Sequence, residues 1–391
     1  MTRDVGLAED LAQDALVLAL EQWPQTGVPD RPGAWLMTAA KRRAIDLKRH
    51  ADMSERKHEA LGREIDARTM ETPDLDSALD DDVGDDMLRL IFTAAHPAIP
   101  SDARTALTLR LLGGLTTDEI ARAFLVPTAT VAQRIVRAKK TIAEKHIPYD
   151  VPRGIDLGAR LASVLEVIYL IFNEGYTATA GDDWLRPALC EDALRLGRVL
   201  AGLMPQEPDV HGLVALMEIQ HSRTGARTNT AGEPVLLLDQ DRSRWDRMAI
   251  QRGLSSLSRA ESLRDIRGAY TLQAAIAACH ARALTAGETD WTRIASLYDD
   301  LARVMPTPVV ELNRAVAVGM AYGPARGLDL VDDIVKSGAL DGYHLLPAVR
   351  GDLLEKLERY DEARGEFERA ASLTRNERER AVLLERASKL K

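Results

Sequence analysis

Thr128, Thr130, Gln133, Arg134 and Arg137 follow one another over ten residues, with the apolar Val131 and Ile135 set between them. On a helix whose apolar residues face inward, these five side chains face outward. Hydroxyl and carboxamide groups can hydrogen-bond to base edges. A guanidinium can bond guanine or a phosphate. Lys139 extends the same basic run. A second cationic group, Lys41, Arg42, Arg43 and Arg49, with Lys48 beside it, offers similar phosphate and base chemistry. A third group is mixed: Glu174, Asp239, Asp241, Arg242 and Trp245, with His280 and Asn313 as further polar candidates. It reads either as a ligand or catalytic cluster or as a buried salt-bridge network that fixes helix packing. No spacing among these residues matches a metal or nucleophile pattern. His280 has no acidic or His partner four residues on, which makes it a packed helix residue. Cys190 and Cys279 cannot form a four-cysteine zinc site or a disulfide framework, and Cys279 reads as a core thiol. The expected chemistry is therefore non-covalent, without enzyme activity, metal or cofactor.

Short helices must position the first group. Thr116 to Phe124 opens with a Thr cap and acids in its first turn. Leu125-Val126-Pro127 makes a short connection, and Thr128 to Lys140 forms the next helix. Ile120, Ala121, Val126, Val131 and Ile135 supply a shared seam, which is the helix-turn-helix plan. A supporting helix with Arg104, Leu107, Leu109, Leu111 and Leu112 ends at Gly113-Gly114. Near the N-terminus, Ala8 to Trp23 reads as an amphipathic helix ended by Pro24. Leu7, Leu11, Ala15 and Leu18 form its stripe, opposite Glu9, Asp10, Gln13 and Asp14. The second cationic group lies on a helix from Ala34 to His50 that buries Leu36, Ala40, Ala44 and Leu47.

A chain of 391 residues is long enough for two or three domains. Apolar residues make up 46% but aromatics only 4%, which favours helix over strand and an all-α fold. No run of 18 apolar residues argues for a membrane span, and no apolar stretch follows Met1 as in a secretory signal. With two cysteines, a reducing, cytoplasmic setting is expected. The net charge of −9 is unevenly spread. Residues 1–50 carry seven basic and seven acidic side chains, 51–90 five and thirteen, and 101–146 eight and four. The basic third stretch suits DNA. The acidic second stretch, including Asp80-Asp81-Asp82, reads as a linker with too little apolar surface to order itself.

Residues 1–145 resemble a sigma factor of the extracytoplasmic-function type, in the sigma-70 family. The resemblance to sigma domain 2 rests on Ala8 to Leu16, Trp23-Pro24, Pro32 to Leu36 and Ala44-Ile45-Asp46. That to sigma domain 4 rests on Leu115 to Lys140. It implies that Glu9, Asp10, Gln13, Asp14 and Leu16 contact core RNA polymerase. It also implies that the Trp35–Arg49 helix reads and melts the −10 element of promoter DNA, and that the Thr128–Lys140 helix reads the −35 element. The pattern has a further helix before Leu7, so the first helix of domain 2 is expected to be missing. It often has Asn where this chain has Arg42, and often Gly at Leu125.

Residues 151–391 lie beyond that pattern. Helical periodicity predicts segments 157–173, 187–203, 209–224, 243–258, 269–284, 291–304, 308–321, 324–335, 343–357, 360–372 and 376–390. Leu354 to Ala370 has the Leu, Tyr, Ala, Phe and Ala spacing of a tetratricopeptide repeat, and Ala315 to Leu330 is a weaker copy. Stacked pairs of that kind offer a concave face for a protein or peptide. Tyr169 to Tyr176, Asp239 to Trp245, Gln273 to His280 and Leu312 to Ala317 resemble the extension of one sigma-factor group. That resemblance implies regulation of the sigma domains by the extension, with a regulatory protein or ligand as partner. The expected organisation is sigma domain 2 at 1–50, acidic linker at 51–90, sigma domain 4 at 91–147, helical extension at 151–305 and repeats at 306–391. The alternative is a one-component helix-turn-helix regulator with a sensing domain, acting without polymerase. An enzyme in the C-terminal part is a further rival.

Overall fold

The computed structural model describes residues 5–29, 32–59, 78–124, 126–176, 186–229, 235–263, 267–374 and 376–390. Among these residues the secondary structure is all-α. The helices are α1 (Val5–Thr26), α2 (Pro32–Glu59), α3 (Ala78–Ala94), α4 (Ser101–Thr108), α5 (Thr117–Ala123) and α6 (Thr128–Glu144). Then come α7 (Ile155–Tyr176), α8 (Pro187–Leu203), α9 (Pro208–His221), α10 (Arg247–Leu263), α11 (Ala269–Arg282) and α12 (Trp291–Val304). The last are α13 (Pro308–Tyr322), α14 (Pro324–Ser337), α15 (Leu345–Lys356), α16 (Tyr360–Leu373) and α17 (Glu377–Lys389). Every segment expected beyond residue 151 overlaps one of α7–α17, with the largest offset at the segment expected over 243–258, where the helix is Arg247–Leu263. The chain divides into two compact units: Met1–Leu107 with Ala132–Leu161, and Thr108–Val131 with Ala162–Lys391.

In the first unit α1 packs on α2. The buried stripe of α1 is Leu11, Ala15 and Ala19. Leu7 and Leu18, expected on that stripe, are exposed. A two-helix contact is narrow, and a line at i, i+4, i+8 fills it. Trp23 and Trp35 meet edge to face at 5.4 Å near the turn between the helices. Pro24 does not stop α1, which runs to Thr26. In the last turn a missing N–H matters little, and Gly27 N–H still bonds to Trp23 O at 2.9 Å. The expected acidic linker is partly helical: α2 reaches Glu59 and α3 begins at Ala78. Residues 60–77 lie outside the described residues. On α3, Leu88, Ile91 and Phe92 are buried, enough apolar surface to order a helix that starts with acids. Arg160 Nη2 donates to Phe92 O at 3.1 Å, and Tyr149 O–H donates to Asp86 O at 3.0 Å.

The second unit opens with a single π turn, Leu109–Gly113, which continues from the end of α4. Gly114, at φ +74°, closes it, a conformation that a Cβ would strain. The helix thus ends at the Gly113-Gly114 pair. Helix α9 is buried on most of its sides, through Val210, Leu213, Leu216, Met217 and Ile219 and also Glu218, which pairs with Arg198 and Arg252. It packs against α8, α10 and α11. One core cluster holds Leu216, Trp245, Leu272, Ile294 and Leu301. A second holds Leu312, Val331, Leu354, Ala363, Phe367 and Ala370. The repeat residues Leu354, Ala363, Phe367 and Ala370 are therefore buried together, while Tyr360 is exposed.

His280 is 7% exposed and stacks edge to face on Trp291 at 5.2 Å. Burial, with Arg223 and Arg242 nearby, pushes it down to about 4. The unfolded chain takes up this proton near pH 6.5 and the folded chain only near pH 4. Stability is thus fully present above pH 6.5 and is lost as pH falls towards 4, by up to about 3 kcal/mol from this group. His280→Phe should flatten that part of a stability–pH curve followed by urea unfolding. An unchanged slope would remove His280 as its source.

Candidate nucleic-acid interface

The start of α5 is held by a reciprocal cap. Glu119 N–H donates to Thr116 Oγ1 at 3.2 Å, and Thr116 N–H and O–H donate to Glu119 Oε2 at 2.7 and 2.8 Å. Val126 N–H bonds to Ala121 O at 3.1 Å and so shapes the turn. Thr128 O–H donates to Asp118 Oδ1 at 2.9 Å, which ties the start of α6 to α5. Ile120, Ala121 and Val131 are buried, as the expected seam requires, and so is Ile135. Leu125 lies outside the described residues.

Along α6, Gln133 and Arg137 are exposed, and Lys140 one turn on extends their strip. Thr128 is exposed but its hydroxyl is already engaged. Thr130 and Lys139 are half-buried. Arg134 differs from the expectation of a free outward side chain. It is half-buried, and its Nε lies 3.0 Å from Asp102 Oδ2. Val136 is 64% exposed and places an apolar group between the polar ones.

On α2, Arg42 and Arg43 are exposed and Lys41 is half-buried. The side chain of Arg49 lies outside the described ones. On α1, Asp10, Gln13, Asp14 and Leu16 are exposed, and the side chain of Glu9 lies outside those described. Arg43 Nε lies 3.2 Å from Asp14 Oδ2, with both side chains more than half exposed. This joins a residue expected at DNA to one expected at polymerase, at little net energy. Leu16, Val17 and Leu20 form an exposed apolar strip at 51%, 54% and 76%. The sequence signal for it was the unbroken run from Leu16 to Leu20, wider than one buried stripe needs.

The third candidate group comes together only in part. Arg242 and Trp245 meet, with Cζ 5.1 Å from the ring centre. Arg242 is buried, yet its bonds go to His280 O, Ala283 O and Thr289 Oγ1 at 2.8, 2.9 and 3.0 Å. That is a cap on the C-terminal end of α11 rather than the expected salt-bridge network. A planar guanidinium matches the spread carbonyls that a helix end leaves open. Asp241 is exposed and caps the next turn. Its Oδ1 accepts Ser243 O–H at 2.6 Å and Ser243 N–H at 2.9 Å, which holds its carboxyl below the usual range. Asp239 lines a groove of about 560 Å³ with Val235, Arg378, Val382 and Arg386. Glu174 instead pairs with Arg186, a residue the sequence did not single out. Cys190 is buried and pushed up to about 12, and burial raises Cys279 too, so both thiols stay protonated at neutral pH. Among the described residues no helix is long and apolar enough to cross a membrane.

Three family models match the chain. Sigma-70 region 2 covers residues 1–53, sigma-70 region 4 covers 89–142, and a family of unknown function, DUF6596, covers 160–261. An uncharacterised protein of Rhizobium meliloti (strain 1021) is 44% identical over 383 residues, 97% of this chain and 89% of that protein. An ECF RNA polymerase sigma-E factor of Haemophilus influenzae is 36% identical over 75 residues, 19% of this chain and 39% of that protein. The region 4 match contains the capped α5, the seam and the exposed strip of α6. The region 2 match contains α1 and the cationic part of α2. The chain carries sigma-70 regions 2 and 4, the two domains of an extracytoplasmic-function-type sigma factor, followed by an additional C-terminal region.

Proposed function

We propose that the chain binds core RNA polymerase and carries it to a promoter. In this reading α6 reads the −35 element, α2 reads and melts the −10 element, and the C-terminal extension regulates both. The observation that supports it best is the Gln133–Arg137–Lys140 strip, exposed along α6 while Val131, Ile135 and Ala138 of the same helix are buried. The exposed Leu16–Leu20 strip on α1, flanked by Asp10, Gln13 and Asp14, offers polymerase an apolar surface with an acidic rim. The direct test is run-off transcription with purified chain and bacterial core polymerase, without another sigma factor. Specific initiation is expected. DNA binding that needs no polymerase, with no initiation, would favour the one-component regulator instead.

The two arginines of α6 separate in a promoter-binding assay with the polymerase complex. Arg137→Ala should weaken binding to promoters with a −35 element by about 1–3 kcal/mol, the range for a base-reading arginine. Arg134→Ala should cost less than Arg137→Ala, because Asp102 already holds its guanidinium. Equal losses for both would overturn that ranking.

A further inference from the structure

Two arginines of the extension reach back to the helix-turn-helix. Arg186 stands just before α8, and its side chain is only 14% exposed. Its guanidinium pairs with Glu174 and donates to Ala123 O. Ala123 is the last residue of α5. On α8, Arg195 Nη2 donates to Leu112 O at 3.0 Å and Gly113 O at 3.1 Å. These two residues end the π turn that follows α4. Both arginines therefore bind carbonyls at helix C-termini, where the chain has no N–H of its own to offer and where a cation is favoured. The need is acute for α5, which is seven residues long.

The extension holds Arg186 in place by close packing of α7 on the start of α8. Arg186 N–H bonds to Gly175 O at 2.7 Å. A Cβ on Gly175 would stand 2.7 Å from Cys190 N and 2.9 Å from Arg186 O, so only glycine lets the backbones meet this closely. Glu174, one residue earlier, then faces the guanidinium and balances its charge. The docked groups are carbonyls at the ends of α4–π turn and α5, while Thr128 and Ala129, which open α6, stay exposed. The contact supports the helix-turn-helix and leaves the start of its reading helix open.

From this we infer a role for the 160–261 stretch: through Arg186 and Arg195 it braces region 4, and these two are positioning residues for −35 recognition. The inference deepens the sigma-factor reading and rests on it for its transcriptional consequence. Its structural half stands alone.

The test uses the full chain as wild type, Arg195→Ala, Arg195→Lys and the Arg186→Ala/Arg195→Ala double variant. Amide hydrogen exchange of residues 109–124 should quicken by about tenfold or more in the double variant, the scale of a lost charge-assisted hydrogen bond. Exchange in α9 should stay slow, which shows that the unit remains folded. Should α9 open as well, Arg195→Ala alone decides, because this side chain is half exposed. With core polymerase, initiation should fall about tenfold on a promoter with a −35 element, in line with the same energy. The gap to wild type should close when that element is scrambled, and Arg195→Lys should recover part of the activity. Unchanged exchange over 109–124 overturns the brace, and initiation that stays level or rises overturns its transcriptional role. A wild-type chain that never initiates sinks the sigma reading, and exchange then judges the brace by itself.

Discussion

Arg242→Ala is expected to destabilise the second unit by about 3–5 kcal/mol, since three charge-assisted bonds at roughly 1.5–3 kcal/mol each are lost and partly replaced by water. The side chain is 4% exposed and bonds to His280 O, Ala283 O and Thr289 Oγ1. Its removal leaves two carbonyls without a donor at the end of α11 and uncovers one face of Trp245. For a unit of this size the loss corresponds to a fall in Tm of roughly 10 °C. Arg242→Met, which keeps the aliphatic stem, should recover only a minor part. Thermal unfolding followed by circular dichroism gives the answer. A variant with wild-type Tm and altered promoter activity would return Arg242 to the role of a ligand-binding residue.

Phe367→Ala should cost about as much, 3–5 kcal/mol, the usual range for an aromatic deleted from a core. Phe367 is fully buried in the cluster that joins α13 to α17. The ring fits tightly: a Cβ on Gly351 would come within 2.9 Å of its Cε1. Arg386 covers the ring with Cζ at 4.3 Å, adding a cation–π contact of about 1 kcal/mol. Phe367→Leu keeps most of the volume and should cost about 1–2 kcal/mol. Urea unfolding should show both as a lower midpoint with an unchanged slope. Loss of cooperativity in Phe367→Ala would instead show that α13–α17 unfold apart from the rest of the unit.

Local patterns carried most of the fold. A period of 3.6 in apolar residues is a property of neighbouring positions, so each helix of the extension could be placed from its own segment. Of the expected seam, Ile120, Ala121, Val131 and Ile135 were legible for the same reason and are buried, whereas Val126 is only half-buried. The stripe of α1 was legible only in part. Leu7, Leu11, Ala15 and Leu18 and the line Leu11, Ala15 and Ala19 are both helical spacings, and only contact with α2 selects the second. The acidic stretch misled because composition averages over a segment. Leu88, Ile91 and Phe92 at its end find a core, and that is enough to continue a helix into it.

Charged side chains show the opposite limit. Arg134, Arg137, Arg186, Arg195 and Arg242 look alike in the chain, each on or beside a predicted helix. Their partners differ because a guanidinium on a long flexible stem reaches whatever acceptor folding brings near. Arg134 finds Asp102, 32 positions away, Arg195 finds carbonyls 82 and 83 positions away, and Arg137 stays exposed. The amino-acid order alone settled where helices lie, which faces are apolar and where basic charge gathers, since those depend on residues within one or two turns. Which arginines stay open to solvent and which hold the scaffold was decided only in three dimensions, because open helix ends and carboxylates become neighbours only once distant segments pack.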